Sequence, residues 1–222
     1  MSPAARPAAG GGRWVDVGPG RVEGWLRRFD ERHVVESTAV RDYGIELATK
    51  DGSIAECHVP FPPLTGDCAG TGLVLEGLLA HLAVRRRVGV LLVRLGGHAV
   101  GVFDGDRLVA SKVDSRQVHG RASAGGWSQK RFARRREGQV RAAGEAAADV
   151  AIRLLGSRPL DAVVTGGERR AVTAVLADDR LAVIRPLVVE RFLTVPDPKK
   201  AILDRVPDQY NAVHIRVIDP PT

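Results

Sequence analysis

The sequence predicts a mixed α/β protein of the α+β kind, in which helices pack against a mixed sheet. Three short apolar strands follow one another from Val88, a long alanine-rich helix comes next, and strands and helices then alternate towards the C-terminus. Apolar runs of this length separated by glycine turns are typical of strands, whereas apolar residues spaced by three and four are typical of helices. Adjacent strands followed by a helix, a strand and a helix give a mixed sheet with helices on it.

The first part of the chain predicts a tail and a small subdomain. The first twelve residues are rich in alanine, proline and glycine and lack the apolar core of a signal peptide, so we expect residues 1–20 to be a disordered tail. Residues 21–86 then form an N-terminal subdomain, in which no chemistry is readable. Its predicted elements are a helix at 22–30, a β-hairpin within 34–57 that turns at Asp51-Gly52, and a helix at 73–84.

The remaining elements begin with an antiparallel meander, whose strands are predicted at 88–95, 98–105 and 107–114. A long helix follows from Ser128, which is a suitable N-cap, and Gly156 and Pro159 end it. Its predicted apolar stripe consists of Phe132, Val140, Ala143, Ala147, Val150 and Leu154. Beyond it we predict strands at 161–164, 181–184 and 212–218, and helices at 170–177 and 196–207.

Positive charge is concentrated in one segment. The chain has a net charge of +7, and the segment from Arg116 to Arg136 contains seven lysines and arginines and no carboxylate. Charge localised in this way favours a polyanionic partner, most often nucleic acid. The alternative is a solvated helix face with no partner.

A glycine pair and a glutamine lie inside this basic segment. Gly125 and Gly126 precede the predicted helix, and Gln129 falls in its first turn. Free N–H groups at a helix start stabilise phosphate or a developing oxyanion, and glycines allow close approach to a ligand. A glutamine amide is neutral and both donates and accepts hydrogen bonds, which suits positioning a water molecule. Hydrolysis of an activated ester, such as that of peptidyl-tRNA, requires little more.

These residues resemble the catalytic segment of the eukaryotic and archaeal peptide-chain release factors, in which a Gly-Gly-Gln loop precedes a basic helix. The resemblance lies in His119-Gly120-Arg121, in Gly125-Gly126 and in Arg131-Phe132-Ala133-Arg134 with the two arginines that follow. The glutamine comes later than in those factors, in the order Gly126-Trp127-Ser128-Gln129. This Gly-x-x-Gln form resembles the Vms-like release factors, which are peptidyl-tRNA hydrolases of ribosome quality control, and in particular their actinobacterial branch.

The resemblance implies an RNase H-like catalytic domain at residues 87–222 that hydrolyses the peptidyl-tRNA ester at the large ribosomal subunit. The implied catalytic residues are Gln129, Gly126 and Gly125. The implied RNA-binding residues are Arg121, Trp127, Lys130, Arg131, Arg134 and Arg135. We expect a monomer that needs no cofactor and no metal, with the large subunit and peptidyl-tRNA as partners.

Other functions fit parts of the same sequence. An RNase H-like sheet can hold metal ions for a nuclease, and the carboxylates available are Asp104, Asp106, Asp114 and Asp161. Asp104 and Asp106 are equally explained as turn residues. A non-catalytic RNA-binding module is the third possibility. Within the segment, Trp127 either stacks on a base or anchors the loop, and His119 fits phosphate contact or loop structure better than general-base catalysis.

The two cysteines indicate neither a disulfide framework nor a metal site. Cys57 and Cys68 lie eleven residues apart, and with His58 they lack both a CxxC pair and a clear fourth ligand, so we expect ordinary buried thiols. No apolar run approaches the ~20 residues of a membrane helix. The expected location is therefore the cytoplasm.

Overall fold

The structure, a computed structural model, describes residues 5–64, 66–94, 97–115 and 127–220, and for residues 115 and 127–137 it describes the backbone alone. The strands are β1 (Arg6–Pro7), β2 (Arg13–Val17), β3 (Val35–Arg41), β4 (Gly44–Thr49), β5 (Ile54–His58), β6 (Gly70–Thr71), β7 (Arg87–Arg94), β8 (Gly97–Asp104), β9 (Arg107–Ser115), β10 (Ala162–Gly167), β11 (Val188–Leu193) and β12 (Val213–Ile218). The α-helices are α1 (Pro19–His33), α2 (Glu76–Ala83), α3 (Trp127–Leu155), α4 (Arg169–Leu176), α5 (Lys200–Leu203) and α6 (Val206–Tyr210).

The chain divides into two compact units. The N-terminal unit consists of Met1–Val84 together with Asp208–Thr222, and the central unit consists of Arg85–Pro207. The N-terminal unit contains an antiparallel sheet in the order β1-β2-β12-β5-β4-β3-β6. The central unit contains a mixed sheet in the order β11-β10-β7-β8-β9.

Helix α1 belongs to the core of the N-terminal unit. Pro19 lies in its first turn, where a missing N–H breaks no helical hydrogen bond. Val22, Leu26 and Phe29 recur at helical spacing and are almost fully buried, so the predicted helix at 22–30 is confirmed and extended. At the other end, the Asp30 carboxylate accepts a hydrogen bond of 2.8 Å from the backbone N–H of Val35. This bond joins the end of α1 to the start of β3.

The central sheet has the topology expected of an RNase H-like domain. Strands β7, β8 and β9 form the predicted antiparallel meander, and β10 runs parallel both to β7 and to β11. Almost every residue of β7, β8 and β10 is buried, as in a sheet covered on both faces. Helices α3 and α4 pack on one face, in a core that includes Leu91, Val102 and Val163.

Two predicted boundaries differ from the structure. The segment 1–20, predicted as a disordered tail, includes β1, β2 and the start of α1, because β2 pairs with β12 along its whole length. The segment 212–218, assigned with 87–222 to the catalytic domain, forms β12 between β2 and β5 in the N-terminal unit. Its residues alternate between buried and half-buried, which suits a sheet with one partly open face rather than the doubly covered central sheet.

Two other predicted elements are wrong. Residues 181–184 form no strand: Leu181 and Ile184 are both buried at a spacing of three, and 3₁₀ turns begin at Asp179 and Arg185. The next strand of the sheet is instead β11. The helix predicted at 196–207 is replaced by the short helices α5 and α6.

Candidate active site

The long helix α3 begins directly after the basic connection from the central sheet. Strand β9 is an edge strand that ends at Ser115, and residues 116–126 join it to Trp127, the first residue of α3. Gln129 is therefore in the first helical turn, as predicted. The first backbone N–H groups of a helix have no acceptor within it and give this end a partial positive charge. Ser128, predicted to be the N-cap, lies one residue inside the helix.

The predicted site residues divide between the helix and the connection before it. Arg121, Gly125 and Gly126, together with His119, lie outside the described residues. The backbone of α3 carries the others, which are Trp127, Gln129, Lys130, Arg131, Arg134 and Arg135. The helix therefore places these six within its first nine residues, a length of about 13 Å.

Among the side chains of α3 that the structure describes, which begin at residue 138, the buried ones all lie in the last nine residues of the helix. The helix is about 43 Å long for its 29 residues. Val140, predicted to belong to the apolar stripe, is 39% exposed, and burial begins at Ala147. Gln129 precedes Ala147 by five turns, which is about 27 Å along a straight helix. The glutamine therefore lies far from the part of α3 that the sheet holds.

Small side chains and an ion pair anchor the packed half of α3. Ala147, Ala151 and Leu155 recur every four residues and are buried in the core of the central unit. Asp149 lies on the exposed side and pairs with Arg180 at 3.0 Å. Alanine allows close approach of the helix to the sheet, so the orientation of α3 is set over about its last two and a half turns.

Two of the carboxylates considered for a nuclease have structural partners. Asp104 pairs with Arg85 at 2.7 Å, and this hydrogen bond lowers the pKa of the Asp104 carboxyl. Asp161 accepts a hydrogen bond of 2.6 Å from the backbone N–H of Arg87. In the described parts of the chain, no three His, Cys, Asp or Glu side chains converge as they would around a metal ion.

The cysteines are buried thiols, as predicted. Cys57 and Cys68 are both free and buried, and burial raises the pKa of Cys57 to about 12. The neighbouring His58 stacks on Tyr43 with ring centroids 4.1 Å apart. Its ring is thus part of an aromatic cluster.

The structure also contains a basic cleft that the sequence did not predict. A cleft of about 510 Å³ in the N-terminal unit has four arginines in its lining. The signal was the spacing of Arg21, Trp25, Arg28 and Arg32 by four, three and four residues, which places them on one helix face.

The sheet order and the covering helices define a mixed α/β domain with the strand order of the RNase H-like fold, and a basic segment precedes and begins its longest described helix. Residues 86–216 match the model of the family described as the Actinobacteria/chloroflexi VLRF1 release factor. This match spans more than half of the chain, and the chain belongs to that family. The family predicted from the Gly-x-x-Gln segment and its flanks is confirmed. No curated protein sequence gives a significant match.

Three solved structures share a distant likeness with the chain. An archaeal protein is 15% identical with a TM-score of 0.38, over 72% of this chain and 48% of its own. The archaeal translation termination factor aRF1 is 12% identical with a TM-score of 0.34, and the match covers 95% of this chain and 68% of aRF1. Dom34 of S. cerevisiae, described as a translation termination-like factor, is 8% identical with a TM-score of 0.35, and the match covers 93% of this chain and 67% of Dom34. The chain thus spans about half the length of the first of these structures.

Across the described residues, the helices are all too short or too polar to span a bilayer.

Proposed function

We propose that this chain is a peptidyl-tRNA hydrolase that acts at the large ribosomal subunit in ribosome quality control or rescue. The observation that carries the proposal is the position of Gln129 in the first turn of α3, in a sequence Gly125-Gly126-Trp127-Ser128-Gln129 that belongs to a member of a release-factor family. The partners are the large subunit and the tRNA that holds the stalled peptide, and the protein acts as a cytoplasmic monomer.

The proposed reaction is attack of water on the ester carbonyl carbon between peptide and tRNA. The Gln129 amide orients this water or donates a hydrogen bond to the oxygen that becomes negative. Backbone N–H groups in the first turn of α3 supply further positive potential. The water oxygen forms the new bond to the carbonyl carbon, the ester C–O bond breaks, and the departing tRNA 3′ oxygen takes the proton that the water gives up. The chemistry uses position and hydrogen bonding, and no metal or cofactor participates.

The length of α3 supports the proposed access to a confined site. About 27 Å of helix separates Gln129 from the first described side chain that is buried against the sheet. A residue carried at that distance can enter a narrow RNA-lined channel while the body of the domain stays outside. Gly125 and Gly126 let the backbone approach the substrate closely, because they have no Cβ.

The basic residues at the start of α3 supply the proposed RNA contacts. Lys130, Arg131, Arg134 and Arg135 bind phosphates of ribosomal RNA or tRNA, and Arg121 does so from the preceding connection. Trp127 either stacks on a nucleobase or anchors this connection. These contacts position the domain, whereas the chemistry depends on Gln129.

The proposal is tested by single-turnover release of labelled peptide from large subunits that carry peptidyl-tRNA. We expect Gln129→Ala to lower the release rate about a hundredfold, the usual effect of losing one transition-state hydrogen bond of about 3 kcal/mol. The matched control is Gln139→Ala, which removes the same amide from an exposed position of the same helix. Cosedimentation with the subunits should be equal for both variants.

Equal release rates for the two variants would refute the role of Gln129. Labelling the tRNA separates ester hydrolysis from the alternatives. An intact 3′ end and activity in EDTA are expected, whereas tRNA cleavage that requires Mg²⁺ would indicate a nuclease. Binding without release by the wild-type protein would indicate a non-catalytic module.

A further inference from the structure

The basic cleft of the N-terminal unit lies between one face of α1 and the adjacent sheet. Val15 and Val17 of β2 and Val217 of β12 contribute its apolar surface. Residues of α1 and the basic side chain of Arg13 supply the rest of the lining. All of these residues lie outside the segment 86–216 that matches the family model.

One face of α1 brings three arginines and a tryptophan to this cleft. Arg21, Trp25, Arg28 and Arg32 fall within about 60° of one another around the helix axis. From Arg21 to Arg32 the helix rises about 16 Å. Trp25 is half-buried and stacks nearly parallel on Phe29, with ring centroids 5.7 Å apart, so packing fixes the orientation of the indole.

The charge of this face is not neutralised by the rest of the described chain. No carboxylate lines the cleft, and Arg21, Arg28 and Arg32 are exposed and make no ion pair with any described residue. On another side of the same helix, Arg27 pairs with Glu23 at 2.8 Å. Two other basic side chains of the lining are already paired, Arg13 with Asp219 at 2.7 Å and His33 with Asp51 at 2.8 Å. Arg21, Arg28 and Arg32 are thus left as a row of like charges that an anion would stabilise.

We propose that this cleft binds single-stranded RNA, with backbone phosphates on Arg21, Arg28 and Arg32 and a base against Trp25. Arginine donates paired hydrogen bonds to phosphate oxygens, and aromatic faces stack on bases of any sequence. A row of cations about 16 Å long matches a chain of phosphates better than one compact phosphate group. The residues of this cleft are different from those at the start of α3, so this proposal can fail while the proposed hydrolase function stands, and the reverse is also true.

The test measures binding of a fluorescent oligouridylate of about twelve nucleotides by anisotropy across a salt series. The full chain is used in a background that removes the other basic surface, with Lys130, Arg131, Arg134 and Arg135 replaced by alanine. In this background the triple variant Arg21→Gln, Arg28→Gln and Arg32→Gln is compared with Arg27→Gln. All four positions are exposed on α1, and thermal melting confirms that each protein is folded.

The triple variant should lose roughly tenfold or more in affinity, and its log–log salt slope should fall by about 2, or ~0.7 for each phosphate contact removed. Arg27→Gln should bind like the background protein. Trp25→Leu should weaken binding several-fold at an unchanged salt slope, because stacking releases no counterions. Equal affinity of the triple and Arg27 variants would overturn the proposal. Equal displacement by a polyglutamate peptide, or by millimolar inorganic phosphate, would also overturn it in favour of an acidic protein or a compact phosphate.

Discussion

Two glycines of α3 that precede its buried residues allow the stability of this part of the helix to be tested. Gly138 and Gly144 lie within the helix, and apart from the neighbouring backbone of the helix itself a Cβ added at either would meet nothing within 4 Å. Glycine costs about 1 kcal/mol relative to alanine in a helix interior, so Gly138→Ala with Gly144→Ala should stabilise this part of α3 by about 2 kcal/mol. Since a factor of ten corresponds to about 1.4 kcal/mol, local opening should become roughly 10- to 30-fold rarer.

Hydrogen exchange followed by mass spectrometry measures this change where it occurs. Peptides from residues 138–146 should exchange more slowly in the double variant, because these residues open without unfolding the core that begins at Ala147. Peptides from β8 should be unchanged, since that strand is buried in the sheet. Circular dichroism should show equal or greater helix content.

A glycine at the other end of the helix provides the control of opposite sign. A Cβ on Gly156 would lie 2.8 Å from the carbonyl oxygen of Ile152, so Gly156→Ala should destabilise the protein. Unchanged or faster exchange at 138–146 in the double alanine variant would refute the reasoning. The segment would then not be a helix whose stability is set by its own residues.

Two further predictions concern charge. Alanine in place of Lys130, Arg131, Arg134 and Arg135 should weaken ribosome binding and lower its log–log salt slope by roughly 0.7 to 0.9 per lost contact, while release recovers at saturating substrate. An identical slope would make this face solvated surface only. Asp178 accepts hydrogen bonds from Arg180, which lower its pKa to about 2. A lowered folded-state pKa means that its stabilisation is present above about pH 4 and is lost as the pH falls towards 2. The melting temperatures of wild type and Asp178→Asn should therefore differ at pH 7 and converge near pH 2, and a difference independent of pH would contradict this.

Local patterns in the sequence predicted the elements whose signals are local. The meander β7–β9 follows from short apolar runs separated by turn residues, and α1 and α3 follow from helical spacing of apolar residues. The family and the position of Gln129 in the first turn of α3 were predicted from about twenty residues around the glycine pair. These features depend on neighbours in the chain, so the sequence alone was sufficient for them.

Long-range packing decided the rest. The β12 strand pairs with β2 and β5, which are distant in the chain, and this pairing also orders β2 in a segment predicted to be disordered. Val140 is exposed although it falls on the predicted apolar stripe, because helical periodicity does not say how far along α3 the packing extends. The cleft beside α1 likewise needs β2 and β12 to form its other side. Burial and pairing join residues that are far apart in sequence, and only the tertiary structure brings those residues together.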